Sequence, residues 1–443
     1  MAQVSSPEAQ NTASFLGWWS GARTSFFWMF AGAFALRFGY ILIARTYHIK
    51  GLEDNFAFGW EMGRIGRAIA NGRGFADPFG LPTGPTAWEP PLYPYLIAAV
   101  FRLAGVYTNA SALVLLTINS VFSALTCIPI FFTARKCFGE KVAIWTAWMW
   151  AVLPFVMFYS TRWIWETSLA AFLLTVLFSL TLRLEEAEGL LPWVMFGVLW
   201  GLAALTNPSL LAFLPASGLW ACYRRLKAHK SFTGGVVLSS VLFASMIAPW
   251  LVRNYQTFGK FVFIRSNFGA ELRLGNGPWA EGLWMQWLHP TQDVLEMRRY
   301  QQLGELEYVA VRKQEAVEWI KADYSRFLWV SMKRFIFYWA GLPRPGTNAV
   351  LASLRNSLFL ASSILAFWGL GRAIRKRIQG AWLVFWLILS YSSVYYVVFP
   401  HPRYRHPIEP ELLILIVYVI SQAKIRRSAP AREPMSPFEA AGN

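Results

Sequence analysis

Residues 110–133 read ASALVLLTINSVFSALTCIPIFFT, and 134–141 continue as ARKCFGEK. The first stretch carries no charged side chain and the second is basic. An apolar run of about 20 residues is enough for a helix to cross the ~30 Å hydrocarbon core of a bilayer. Working outward, similar runs lie at 25–46, 142–159, 167–184, 190–205, 208–223, 232–252, 350–371, 380–399 and 408–423, ten with the first. Composition agrees: 56% of the 443 residues are hydrophobic and 15% are charged, against about 25% charged in a soluble domain. The sequence predicts an all-α polytopic membrane protein.

The net charge of +17 does not indicate nucleic acid, because Lys and Arg gather in short loops between apolar runs. Alternate short loops carry fifteen basic residues against three. That asymmetry places the richer set, and with it both termini, in the cytoplasm. Residues 1–24 read as a polar cytoplasmic tail and not as a cleaved leader. Residues 25–252 form a first membrane module containing an external loop at 47–109. A second external segment covers 253–349, a second membrane module 350–427, and a polar, proline-containing tail 428–443 that reads as disordered. The run 91–104, apolar but short and holding Arg102, reads as a helix dipping into the outer interface. Thr206-Asn207-Pro208 interrupts the run at 190–223, so two short helices are expected to meet there at a tip. The three cysteines cannot form a disulfide framework.

The polar chemistry is external. In the first loop, Phe58, Met62, Ile65 and Ile69 form an apolar helical stripe, with Arg64 and Arg67 off it. Such an amphipathic helix is expected to lie on the bilayer surface, holding Glu53, Asp54 and Glu61 at the water–lipid boundary. Glu61 could also simply pair with Arg64, three residues on. Glu166 opens a later helix on the same side, in TRWIWETSL. The second external segment spaces Arg253, Arg265 and Arg273 among Gly and Asn, and 304–340 reads as helical. The last external loop, VFPHPRYRHPIEP, sets Arg403 and Arg405 between prolines at a membrane edge. Guanidinium groups there suit a phosphate, which they grip bidentately. His401 and His406 fit no zinc spacing and have no cysteine with them.

In this order the features resemble the GT-C superfamily of membrane glycosyltransferases, in the bacterial branch of protein O-mannosyltransferases and the lipid A aminoarabinose transferase. The similarity runs over roughly 25–423. It rests on a first loop ending RAIANGRGF, then WEPPLYPYL, then WETSL, and finally RYRHPIEP before the last span. The sequence departs from the pattern where the superfamily usually has Asp-Glu, eight or nine residues before Arg67; Phe58 and Gly59 stand there. The lysine-containing tip of the family is replaced by Thr206-Asn207-Pro208.

The resemblance implies a GT-C-like bundle of about ten spans with external interfacial helices and loops. It also implies a polyprenyl-phosphate-linked sugar as donor and inverting transfer to an acceptor hydroxyl of a glycan, lipid or protein. The site would face the periplasm of a bacterial inner membrane, among membrane lipids. A phosphate leaves readily without protonation, so a single carboxylate base suffices, its pKa raised by desolvation. Glu61 is the expected base, with Asp54 in reserve. Glu166 would orient the acceptor or a cation, Arg265, Arg403 and Arg405 would hold the phosphate, and Tyr404 and Asn267 complete the binding set. No metal ligands are assigned; a divalent cation is possible but not required by the sequence. Trp88, Tyr93 and Trp165 read as aromatics at the membrane interface. The competing classes are a transporter or lipid flippase, which needs ionisable groups deep in its spans, and an envelope scaffold. Arg37 is the main charge deep in a span, and snorkelling would explain it.

Overall fold

The computed structural model describes residues 21, 23–51, 53, 55–343 and 348–428. Asp54 and the two terminal tails up to residue 20 and from 429 lie outside the described residues. The described chain is all helical, with a lone bridge between Ala76 and Pro85. Its elements begin with α1 (Phe26–Ile43), α2 (Trp60–Ala70), α3 (Leu92–Ala104), α4 (Asn109–Leu125) and α5 (Cys127–Phe138). They continue with α6 (Glu140–Val152), α7 (Pro154–Arg162), α8 (Thr167–Arg183), α9 (Leu191–Thr206), α10 (Leu214–Lys227) and α11 (Thr233–Phe258). The external segment contributes α12 (Phe268–Gly275), α13 (Val294–Leu303), α14 (Glu305–Ala322) and α15 (Tyr324–Ala340), and the chain closes with α16 (Ala349–Arg375), α17 (Ala381–Val397), α18 (Pro402–Arg405) and α19 (Glu409–Ser428).

Four described helices are long and apolar enough to span alone: α1, the continuous α4–α5 of 30 residues, α11 and α16. The pair α6–α7, bent by 47°, is long and apolar enough only when its two helices are taken together. The expected runs at 167–184, 190–205 and 380–399 are present as shorter apolar helices, α8, α9 and α17. The run at 208–223 begins as a 3-10 turn, Pro208–Phe213, before α10. Helix α3, at 13 residues, reaches about 20 Å and cannot cross a ~30 Å core by itself. The central packing joins α8, α9 and α17 through Leu174, Phe178, Trp200, Phe213, Leu387 and Tyr391.

Arg37 does not snorkel. Its side chain is fully buried, with Nη2 donating to the Trp150 carbonyl at 3.0 Å, Nη1 to the Ala151 carbonyl at 2.8 Å and Nε to Ser123 Oγ at 3.0 Å. Pro154 has no N–H, so the carbonyl four residues before it loses its helical donor. The guanidinium replaces that donor at the α6–α7 bend, which is why a charge is tolerated in the bundle.

Helix α2 is covered on both faces, contrary to a helix lying open on the bilayer. The stripe residues Phe58, Met62, Ile65 and Ile69 are buried as expected, but so are Glu61 and Arg64. The stretch between α12 and α13 folds over it: Arg64 Nη1 donates to Thr291 Oγ1 at 3.1 Å. Arg67 is engaged by Glu53. The helical stretch expected over 304–340 is broken at Asp323, whose carboxylate caps α15 by accepting from the Arg326 N–H at 2.8 Å.

Candidate active site

One cavity of about 690 Å³ opens between the loop joining α1 to α4, the α9–α10 tip, the segment following α11 and the α17–α18 connection. Each wall has a local cause. Gly59 adopts φ 78° between the 3-10 turn Phe56–Phe58 and α2, and a Cβ there would stand 2.6 Å from the Ile164 carbonyl. Only glycine lets α2 start so close to the strand of chain leading to Glu166, and this sets Glu61 at the cavity wall. At the tip, Asn207 caps the Pro208–Phe213 turn by accepting from Ser209 N–H at 3.0 Å, while its Nδ2 donates to Glu166 Oε1 at 3.3 Å. His401 accepts from the Arg403 N–H at 3.3 Å and so starts the short α18 that carries Arg403 and Tyr404.

The cavity gathers four carboxylates, Glu61, Glu89, Glu166 and Glu271, around Arg265 and Arg403. Arg265 Nη2 is 3.8 Å from Glu89 and 3.9 Å from Glu271. Asn267 Nδ2 donates to Glu271 at 3.2 Å. The Arg403 guanidinium lies 3.6 Å from the centre of the Trp165 ring, a cation–π contact that fixes its plane. Several polar atoms around the cavity are buried without a hydrogen-bond partner: Nε and Nη1 of Arg403, Nε of Arg265 and Oε2 of Glu166. Unmet donors on two cations describe an anion-binding wall.

Electrostatics divides the acids. Burial drives the Glu89 carboxyl up, against the pull of Arg265, to about 8. Burial also raises Glu271, again opposed by Arg265. Glu61 goes the other way. Burial acts to raise it, but the hydrogen bond with His289, its own backbone N–H and Arg64 together bring it below the ordinary carboxylate range. Desolvation, the largest single influence, therefore does not set the charge of Glu61 as expected from the sequence; His289 Nε2, 3.2 Å from Glu61 Oε1, reverses it together with the backbone N–H and Arg64.

The sequence-based set is thus only partly brought together. Glu61, Glu166, Arg265, Asn267, Arg403 and Tyr404 all line the cavity. Arg405 does not. It is buried on the other side of α18, with Nε 2.6 Å from Glu409 and its Nη groups donating to Ser362 and Ser363. On a helix, adjacent residues point roughly 100° apart, so Arg403 and Arg405 cannot share a face. Trp88, Tyr93 and Trp165 are buried and are not interfacial anchors; Tyr93 donates to Asn119 at 2.9 Å. Sequence reasoning overlooked Glu89, Glu271 and His289. Glu89 lies inside the quoted WEPPLYPYL motif, and that was the available signal. His289 lies in an irregular stretch and gave none. Among the described residues no group of three or more His, Cys, Asp or Glu side chains is arranged to hold a metal ion.

Residues 88–252 match the family described as dolichyl-phosphate-mannose-protein mannosyltransferase. No curated protein matches the sequence. Among solved structures, the chain is similar to the archaeal oligosaccharyltransferase AglB from Archaeoglobus fulgidus in complex with an inhibitory peptide and a dolichol-phosphate. The TM-score is 0.51 at 15% identity, covering 92% of this chain and 53% of AglB. The apo form of the Archaeoglobus fulgidus oligosaccharyltransferase gives a TM-score of 0.49 at 15% identity, over 93% and 53% of the two chains. The chain therefore spans about half the length of these proteins.

Proposed function

We propose, from the match of residues 88–252 to the mannosyltransferase family and the similarity of fold to AglB, that the chain is a GT-C-type glycosyltransferase that transfers a sugar from a polyprenyl-phosphate donor to an acceptor hydroxyl, with inversion, on the extracytoplasmic side of a bacterial inner membrane. The observation that carries the reading is the pairing, within one cavity, of unmet guanidinium donors on Arg265 and Arg403 with an ionised, positioned carboxylate on Glu61.

In this reading the donor phosphate lies against Arg265 and Arg403. Both cations are partly withdrawn from water, so charge gathering on the departing phosphate is stabilised more than it would be in bulk solvent. Glu61 takes the acceptor proton as the acceptor oxygen bonds to the anomeric carbon and the carbon–phosphate oxygen bond breaks. His289 holds Glu61 in place: its Nδ1 accepts from the Thr291 N–H at 3.2 Å, which leaves Nε2 as the donor to Glu61. Glu89, neutral below pH 8, can donate a proton in a hydrogen bond to a phosphate oxygen without repelling it. Glu166, with one free oxygen, orients the acceptor. Trp60 and Trp284 flank His289 and offer aromatic faces to a sugar ring.

Purified protein incubated with radiolabelled polyprenyl-phosphate sugars should release label from the lipid into an acceptor. Glu61→Gln should abolish release while protein yield is kept. Full activity of E61Q would remove Glu61 as the base, and no release from any lipid-linked sugar would overturn the enzyme reading.

A further inference from the structure

A second cavity, of about 710 Å³, lies at the opposite end of α8 from Glu166. Seventeen helical residues separate the two, or roughly 25 Å. It is bounded by the ends of α5 and α8 and the start of α9. Its lining joins two chemistries. Arg135, Lys136 and Arg183 face a single carboxylate, Glu186, while Phe132, Leu180, Leu191, Pro192 and Met195 supply an apolar wall.

The charges are not internally neutralised. Lys136 reaches Glu186 at 2.9 Å, but neither Arg135 nor Arg183 has a carboxylate within ion-pair distance among the described residues. Arg183 is instead held over the Phe132 ring, 4.2 Å from its centre. The apolar wall is open: Leu191 is 68% exposed and Met195 44%, on a chain whose helices lie in a bilayer. A soluble phosphate would use the cations and gain nothing from this wall. A molecule with an anionic head and an acyl tail uses both.

We infer that the groove between α5, α8 and α9 binds one anionic membrane phospholipid, its headgroup phosphate among Arg135, Lys136 and Arg183 and an acyl chain along Leu191 and Met195. This site is separate from the sugar-transfer cavity and does not depend on that reading.

Native mass spectrometry of the full chain, purified in detergent and offered phosphatidylglycerol or phosphatidylcholine of matched chains, tests it. One tightly retained phosphatidylglycerol is expected, with at least fivefold lower occupancy for phosphatidylcholine. Arg183→Gln and Arg135→Gln should each lower the phosphatidylglycerol occupancy severalfold. Met195→Trp, which fills the apolar wall and leaves every charge in place, should do the same. Arg375→Gln, at the basic end of α16 and outside the groove, should leave it unchanged. Helical circular dichroism and the melting midpoint in phosphatidylcholine identify any variant that fails to fold, and the remaining two groove variants then decide. Equal retention of both lipids overturns the proposal. So does an R375Q loss as large as that of R183Q, which would mean diffuse charge attraction, or displacement of the lipid by inorganic phosphate at equal concentration.

Discussion

His289 Nε2 and Glu61 Oε1 lie 3.2 Å apart in a nearly dry part of the cavity, and this contact favours the ionised form of Glu61. Burial alone would favour the protonated acid; the imidazole donor, the backbone N–H and Arg64 together reverse the balance. The two residues are more than 220 positions apart in sequence, so their relationship exists only in the folded chain.

Replacing His289 with Ala should move the acid limb of the kcat/KM profile to higher pH. Without the donor, desolvation dominates and Glu61 protonates at a pH where the wild type is still ionised. Each unit of that shift costs about tenfold in active base on the acid side. A pH–rate profile of the variant with an unchanged acid limb would show that the contact does not control the base.

Glu89 gives the alkaline limb. Its pKa of about 8 keeps it neutral at pH 7, and above pH 8 its carboxylate stands beside Arg265, where the donor phosphate is to bind. KM for the lipid-linked donor should therefore rise above pH 8, and Glu89→Gln should flatten that rise while leaving the acid limb in place. Initial rates measured from pH 6 to 9.5 for both proteins check this.

Arg403→Lys and Arg265→Lys should each lower kcat by roughly 10²–10³, the usual consequence of losing one stabilising donor to a developing anion. Lysine keeps the charge but not the planar fork, and in Arg403→Lys the stack on Trp165 is lost too. Melting midpoints should stay near wild type. Turnover unchanged in both variants would move the phosphate elsewhere.

Arg405→Met should fail differently. It leaves Glu409 buried beside no cation, a loss on the order of 3–5 kcal/mol for a broken buried pair. The folded yield should collapse, and Arg405→Met combined with Glu409→Leu should recover much of it. Size-exclusion profiles in detergent distinguish this from the catalytic loss of the Arg403 variant.

Arg37→Met leaves the Trp150 and Ala151 carbonyls without their donors, at about 1–3 kcal/mol for each buried group. Adding Pro154→Ala restores an N–H in reach of the Trp150 carbonyl and should recover part of the lost melting midpoint. No recovery would show that Arg37 serves something other than the bend.

The amino-acid sequence by itself determined the membrane class and the helical architecture. These follow from apolar run length, the break at Pro208 and the distribution of basic loops, which are local properties. It also picked out six of the cavity-lining residues, and prolines and helix starts confine two of them, Glu166 and Arg403, to the ends of spans. Tertiary structure decided the rest. The lone charge in α1 reads as a snorkelling arginine until the α6–α7 bend brings two orphaned carbonyls to it. Arg403 and Arg405 look equivalent along the chain, yet about half a turn of helix points the first into the cavity and the second to Glu409. Glu61, Glu89 and Glu271 are the same chemical group; only burial and their partners from distant segments, His289 and Arg265, set their protonation apart. Long-range packing fixes which charges meet and how much water separates them, and neither quantity is encoded in any short window of residues.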